Sequence, residues 1–116
     1  MAAPTRALIG PYEIGEIPAP LQYTFLDSFN NPIDLTNFTA KFSYREASAP
    51  MGSAVLADAV LTSGPAGQVT YTWTGNEFAT AGHYLSEFWV GNGTNRFASI
   101  SIEFDVKIPV GQVPII

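Results

Sequence analysis

Gly82-His83-Tyr84-Leu85-Ser86-Glu87-Phe88-Trp89-Val90, residues 82–90, is the stretch whose reading decides the fold. Tyr84, Ser86, Phe88 and Val90 recur at every second position with Leu85, Glu87 and Trp89 between them. That is the period of a strand, whose successive side chains point to opposite faces. Gly91-Asn92-Gly93-Thr94 follows, and Gly and Asn accept the positive φ angles of a tight hairpin. Beyond it, Ala98, Ile100, Ile102, Phe104, Val106 and Ile108 alternate with Ser99, Ser101, Glu103, Asp105 and Lys107, which predicts one long strand.

The same period runs upstream. Val69, Tyr71 and Trp73 alternate with Thr70, Thr72 and Thr74, a β-branched and aromatic mixture suited to a pleated surface. Thr74 to Phe78 is read as a single helical turn capped by Asn76, which Gly82 keeps short. Residues 54–61 fit helix or strand by composition, but their shortness and the Ser63-Gly64-Pro65-Ala66-Gly67 turn favour a strand entering a hairpin. Phe38, Ala40, Phe42 and Tyr44, and before them Leu21, Tyr23 and Phe25, complete the set. Six or seven short strands without a convincing helix predict an all-β fold, an antiparallel β-sandwich.

Both ends depart from this pattern. Residues 4–20 and 109–116 hold six of the nine prolines, mixed with Ile and Val, and proline resists helix and donates no backbone hydrogen bond. The expected organisation is an extended N-terminal arm over 1–20, the sandwich over 21–108 and an extended apolar C-terminal arm over 109–116. Leu8, Ile9, Ile14 and Ile17 at one end, and Val110, Val113, Ile115 and Ile116 at the other, are the expected protein-contact residues. The bland alternative is that the arms lie on their own sandwich as edge strands.

Composition narrows the chemistry. The 116 residues are 47% apolar and 13% charged, too apolar for a disordered chain and enough for one small domain. Without cysteine there is no thiol catalysis, thiolate metal site or disulfide scaffold. Five Lys and Arg against ten Asp and Glu argue against a nucleic-acid or membrane-surface partner, since phosphate affinity comes mainly from cationic side chains. Repeated prolines break the apolar run that a signal peptide needs, and no apolar stretch approaches the roughly 20 residues of a membrane span.

No catalytic constellation emerges. His83 is the only histidine and has no evident partners; no Gly-x-Ser-x-Gly elbow is present. Glu103 and Asp105 share a strand face as a glycosidase pair would, but alternating charges are usually the solvated side of a sheet. Asp27, Asn30, Asn31 and Asp34 offer hard oxygen ligands without the spacing of an EF-hand, and turn formation explains them. The expectation is no enzyme, no cofactor and no metal.

Gly82-His83-Tyr84-Leu85-Ser86 resembles the Gly-x-Tyr-x-Cys stretch of immunoglobulin domains, with Ser86 in the cysteine's place. That makes Gly82 and Tyr84 expected corner residues, the tyrosine hydroxyl bonding back to the backbone, and the sandwich immunoglobulin-like, with about seven strands. The order of segments is similar to the N-terminal domain of the baseplate upper protein of tailed phages, on Leu21 to Asp27, Pro32 to Phe42, Gly67 to Tyr71, Ala81 to Phe88 and Ile102 to Val106. The resemblance carries no catalytic residues. It implies a bacteriophage virion structural protein, made in the host cytoplasm, that docks on other virion proteins and on copies of itself. In that family more chain follows, bearing receptor-binding machinery, whereas here eight residues remain; a small tail or baseplate accessory protein, or a capsid decoration protein, is therefore expected. The competing reading is a carbohydrate- or cell-surface-binding module. Most aromatics fall at inward positions, with Trp89 and Phe97 the exceptions, and Trp89 is the expected exposed or interface aromatic.

Overall fold

The computed structural model describes residues 6–116; residues 1–5 of the expected N-terminal arm lie outside them. Eight strands form along the chain: β1 (Arg6–Glu13), β2 (Leu21–Thr24), β3 (Thr39–Glu46), β4 (Val55–Ser63), β5 (Gln68–Tyr71), β6 (Gly82–Gly91), β7 (Arg96–Ala98) and β8 (Ser101–Lys107). The strand order is β1-β8-β6-β3-β4-β5-β2, with β7 beside β6. Every pairing is antiparallel except β1 with β8.

β4 turns this path into two layers. Val55 to Ala59 pair with β3, whereas Val60 to Ser63 pair with β5, so one strand passes from the first layer to the second. Where β5 begins, Gly67 adopts φ +67°, and a Cβ there would stand 2.7–2.8 Å from the Ile33 and Phe25 carbonyl oxygens. Only glycine fits such a left-handed, crowded position. The Gly67 carbonyl in turn accepts the Phe25 N–H at 2.9 Å, tying the end of β2 to that turn.

Between the layers lies an aromatic core. Phe42, Phe78, Phe88 and Phe104 are fully buried, and each contributes about 1.5–3 kcal/mol relative to an exposed ring. Phe42 stacks on Tyr71 at 4.2 Å between centroids and meets Trp73 edge-on at 5.7 Å. The alternation in β3, β5, β6 and β8 accounts directly for Phe42, Tyr71, Phe88 and Phe104, whereas Phe78 enters the core from the short turn before β6.

Three expectations change. Residues 98–108 are not one strand, because Ser99, Ile100 and Ser101 face only Glu87 and Phe88 across the ladder. This β-bulge shifts the inward face by one residue. Phe97, expected outside the core, therefore packs against it and stacks on Phe38 at 5.9 Å. The single turn forms at Asn76–Phe78, but Gly75 rather than Asn76 is its N-cap, with φ +94°. The expected N-terminal arm is extended but not free. Arg6–Glu13 is an edge strand of the sandwich, pairing from Arg6 with Ser101 to Glu13 with Lys107, with a register shift at the cis Gly10–Pro11. Its inward residues explain why: Ile9 packs against the core, and Tyr12 lies 4.8 Å from Phe78 and 6.0 Å from Trp73 between ring centroids.

Candidate interaction surfaces

Two residue groups hold the end of the molecule where β1 and β8 finish. Tyr84 opens β6 facing inward, and its hydroxyl donates to the Thr80 carbonyl at 2.7 Å, closing the corner expected from Gly82 and Tyr84. Gly82 pairs with Val106, and a Cβ on it would lie 3.2 Å from Glu46 Cγ. Ser86, in the position of an immunoglobulin cysteine, donates to the Ile102 carbonyl at 2.5 Å, so its buried hydroxyl is satisfied without a bridge.

Glu77 is the second group, and nothing in the sequence reading singled it out. It is only 2% exposed. Its carboxylate accepts the Gly75 N–H at 2.9 Å, the Thr74 N–H and hydroxyl at 3.1 Å, and the Tyr71 hydroxyl. Burial alone raises a carboxyl pKa, but the hydrogen bonds from Tyr71 and from the Thr74 and Glu77 backbone outweigh it, so Glu77 titrates below its ordinary value. Burial first, then the bond to Glu77, pushes the Tyr71 phenol far up. A buried carboxylate with four donors around it ties β5 to the turn before β6. The signal was present as Thr74-x-x-Glu77, a capping-box spacing, though here the carboxylate does the capping from inside the protein.

Against this corner lies the β1–β2 turn, and against the turn lies the C-terminal segment. Gly75 faces Ile17, and Gly15, at φ +98°, faces Val113 so closely that a Cβ would stand 2.7 Å from Val113 Cγ1. Of the eight expected contact residues, Ile9 and Ile14 pack on the chain's own core, because the edge strand and the turn after it point them inward. Leu8 and Ile17 stay exposed. Val113 is half-buried on Gly15, and Val110, Ile115 and Ile116 are fully exposed, joined by Ile108. Residues 13–18 and 109–116 together line a groove of about 750 Å³. Among the described residues, no backbone hydrogen bond holds residues 108–116.

The outer face of the first layer carries the charges. His83, expected without partners, lies between two: Nδ1 is 2.6 Å from Asp105 Oδ1, and Nε2 is 2.8 Å from Glu103 Oε1. The antiparallel register sets His83 opposite Asp105 and next to Glu103, which β-strand spacing alone does not reveal. Arg6 reaches Glu103 at 3.4 Å. Hydrogen bonds to Asp105 and then Glu103 raise the His83 pKa, and the bond from His83 is the main cause lowering that of Glu103. The cluster forms an ionic clasp between β6 and β8. Further along β6, Trp89 is outward and 36% exposed, its Nε1–H donating to Glu87 Oε1 at 2.8 Å.

The oxygen-rich loop is occupied by its own backbone. Asp27 Oδ1 accepts the Phe29 and Asn31 N–H groups at 2.8 and 3.0 Å, and Asp34 Oδ1 accepts the Thr36 N–H and hydroxyl at 3.0 and 2.6 Å. The second bond pair, the hydroxyl first, lowers the Asp34 pKa. Among the described residues, no group of three or more His, Cys, Asp and Glu is placed to hold a metal, and no helix is long and apolar enough to cross a membrane.

The fold and this geometry define an all-β sandwich built around a hydrogen-bonded corner. The BppU N-terminal domain family matches residues 28–109, more than two thirds of the chain, and the chain belongs to that family. Membership implies a structural protein of the phage baseplate and hence a place in the virion. No curated protein matches the sequence.

Proposed function

We propose that this protein is a baseplate accessory component that docks on neighbouring virion subunits through the apolar surface at the end of β1 and β8, with other virion proteins and copies of itself as partners. The observation that carries the reading is the grouping of Ile17, Val110, Ile115 and Ile116, exposed together around one groove. Contiguous exposed apolar surface of this kind marks a contact site, because leaving it in water forgoes the free energy of burial. Family membership favours the baseplate over capsid decoration.

Removing residues 109–116 tests it. The expected result is a domain that still folds, its stability lowered by no more than the packing of Val113 on Gly15 supplies, but that is no longer recovered on purified particles. Unchanged incorporation would overturn the docking role. Loss of folding would show that the tail serves its own sandwich instead.

A further inference from the structure

The geometry points to a small binding site on the outer face of the first layer, around Trp89 and Arg96, for a saccharide ring carrying one acidic group. It lies on a different face from the apolar end and does not depend on the docking role. Gly91 makes the site possible. It pairs with Thr39 of β3 on one side and Arg96 of β7 on the other, and Trp89, two residues earlier on the same face, pairs with Lys41 and Ala98. With no side chain at Gly91, a hollow of about 300 Å³ opens between Trp89, Lys41, Thr39 and Arg96, closed by the loop at Asn95. This lies at the small end of ligand-binding pockets. The loop is preformed: Asn92 Oδ1 accepts the Thr94 and Asn95 N–H groups at 2.9 and 2.7 Å, and the Asn92 N–H donates to the Asn95 carbonyl at 3.1 Å.

The chemistry of the walls selects the ligand. The bond to Glu87 uses the Trp89 N–H and leaves the indole's ring surface to pack against the C–H face of a sugar. Arg96 supplies the charge selection. Arg6 pairs with Glu103, Lys41 with Asp58 and Lys107 with Glu13, and Arg45 donates to the Ala47 and Ala49 carbonyls. Among the described residues, Arg96 alone of the five cationic side chains has neither an ion pair nor a hydrogen-bonded partner. A free guanidinium takes a carboxylate or phosphate through two parallel bonds. Glu87, at the other side of Trp89, repels a second negative charge, so the acid group lies over Arg96 and the neutral ring over Trp89. The side chains of Thr39 and Asn95 remain available for ring hydroxyls. A specific protein partner covers about 800 Å² on each side, whereas these groups converge on a hollow the size of one ring.

NMR titration of the full chain with glucuronate, with glucose as its neutral counterpart and with a short Asp/Glu peptide tests the site. The indole N–H signals are well suited, because the chain has two tryptophans and Trp73 is buried. Glucuronate should shift the Trp89 indole and the 91–96 amides with millimolar affinity and bind about tenfold more tightly than glucose, the increment a charge-assisted pair supplies. Arg96→Gln should erase that preference, and Trp89→Ala should abolish binding of both sugars. Gly91→Leu should abolish binding by filling the hollow; a Cβ there meets nothing closer than 3.5 Å, so the fold survives and its unfolding midpoint checks this. The proposal fails if glucuronate leaves Trp89 unmoved, if the preference persists in Arg96→Gln, or if the peptide shifts the same signals while the sugars do not. The last result would identify a protein contact instead.

Discussion

The corner around Glu77 and the C-terminal tail lie almost side by side, joined through the turn at Gly15 and Ile17, yet they are built on opposite terms. The corner buries a charged residue: Glu77 is 2% exposed and four donors are directed at it. The tail leaves Ile116 at 111% exposure, with no backbone hydrogen bond among residues 108–116. Hydrophobicity alone would have placed these two residues the other way round. What separates them is local partnership: a carboxylate can be interior when four donors replace its water, and an isoleucine stays outside when nothing packs over it. The corner is therefore complete in the isolated chain, whereas the tail leaves its apolar side chains in water.

The sharpest way to break this contrast is Glu77→Ala. The substitution leaves the Tyr71 hydroxyl and the Thr74 and Gly75 N–H groups without their acceptor, and losing one member of such a buried charged network costs about 3–5 kcal/mol. Urea unfolding reads this directly, and a loss below about 1 kcal/mol would show that water replaces the carboxylate and that the corner is not self-contained. Tyr84→Phe probes the same corner more gently. It removes one hydroxyl bond to Thr80 without changing the ring stacked on Phe104, and should cost about 1 kcal/mol; an unchanged midpoint would remove the corner bond from the account.

How much of this was legible follows the same division. Strands β3, β5 and β6 could be read because their two-residue period is local, and the corner at Gly82 and Tyr84 because its motif spans three residues. β1 could not. Its partner β8 lies some ninety residues away, and proline with a glycine bulge breaks the period that would have marked Ile9 and Tyr12 as inward. The bulge at Ser99 to Ser101 was invisible for a related reason: Ala98, Ile100 and Ile102 keep perfect alternation on paper, and only the partner strand shows that one residue is extra. His83 looked isolated because its carboxylates belong to another strand. Of the expected contact residues, Val110, Ile115 and Ile116 lie exposed beyond the last strand, whereas Ile9 and Ile14 were taken up by an edge strand and the turn after it, whose placement no local pattern encodes.

The clasp at His83 is a weaker case than the corner, since it is fixed by partners but exposed to solvent, and pH is the way to separate the two. The folded-state pKa of His83 is raised, so its contribution is fully present below the unfolded value of 6.5 and is lost as pH rises through the folded value. Glu103 is lowered, so its contribution is present above 4.5 and is lost as pH falls through the folded value. The clasp should therefore stabilise most between those two reference values. His83→Gln should flatten the decline in unfolding midpoint on the alkaline side and, because His83 is the main cause lowering Glu103, weaken the acid-side decline that Glu103 supplies while leaving that of Glu77. An identical pH profile in wild type and variant would mean that solvent screens the clasp entirely.

The smallest stability effect belongs to the tail, and there smallness is the informative result. Ile115→Ser with Ile116→Ser removes two fully exposed apolar side chains that touch nothing closely enough to be buried, so the isolated protein should keep its stability within about 0.5 kcal/mol. Val113→Ser gives the internal comparison, because Val113 rests on Gly15 and should cost more than the other two together, on the order of 0.5–1 kcal/mol for a half-buried side chain. If the double variant destabilises the isolated chain as much as Val113→Ser, the tail is part of the sandwich after all. If it does not, and particle binding nevertheless falls, then the apolar surface of the tail acts only in the assembly, where the same burial that fixes the corner becomes available between molecules.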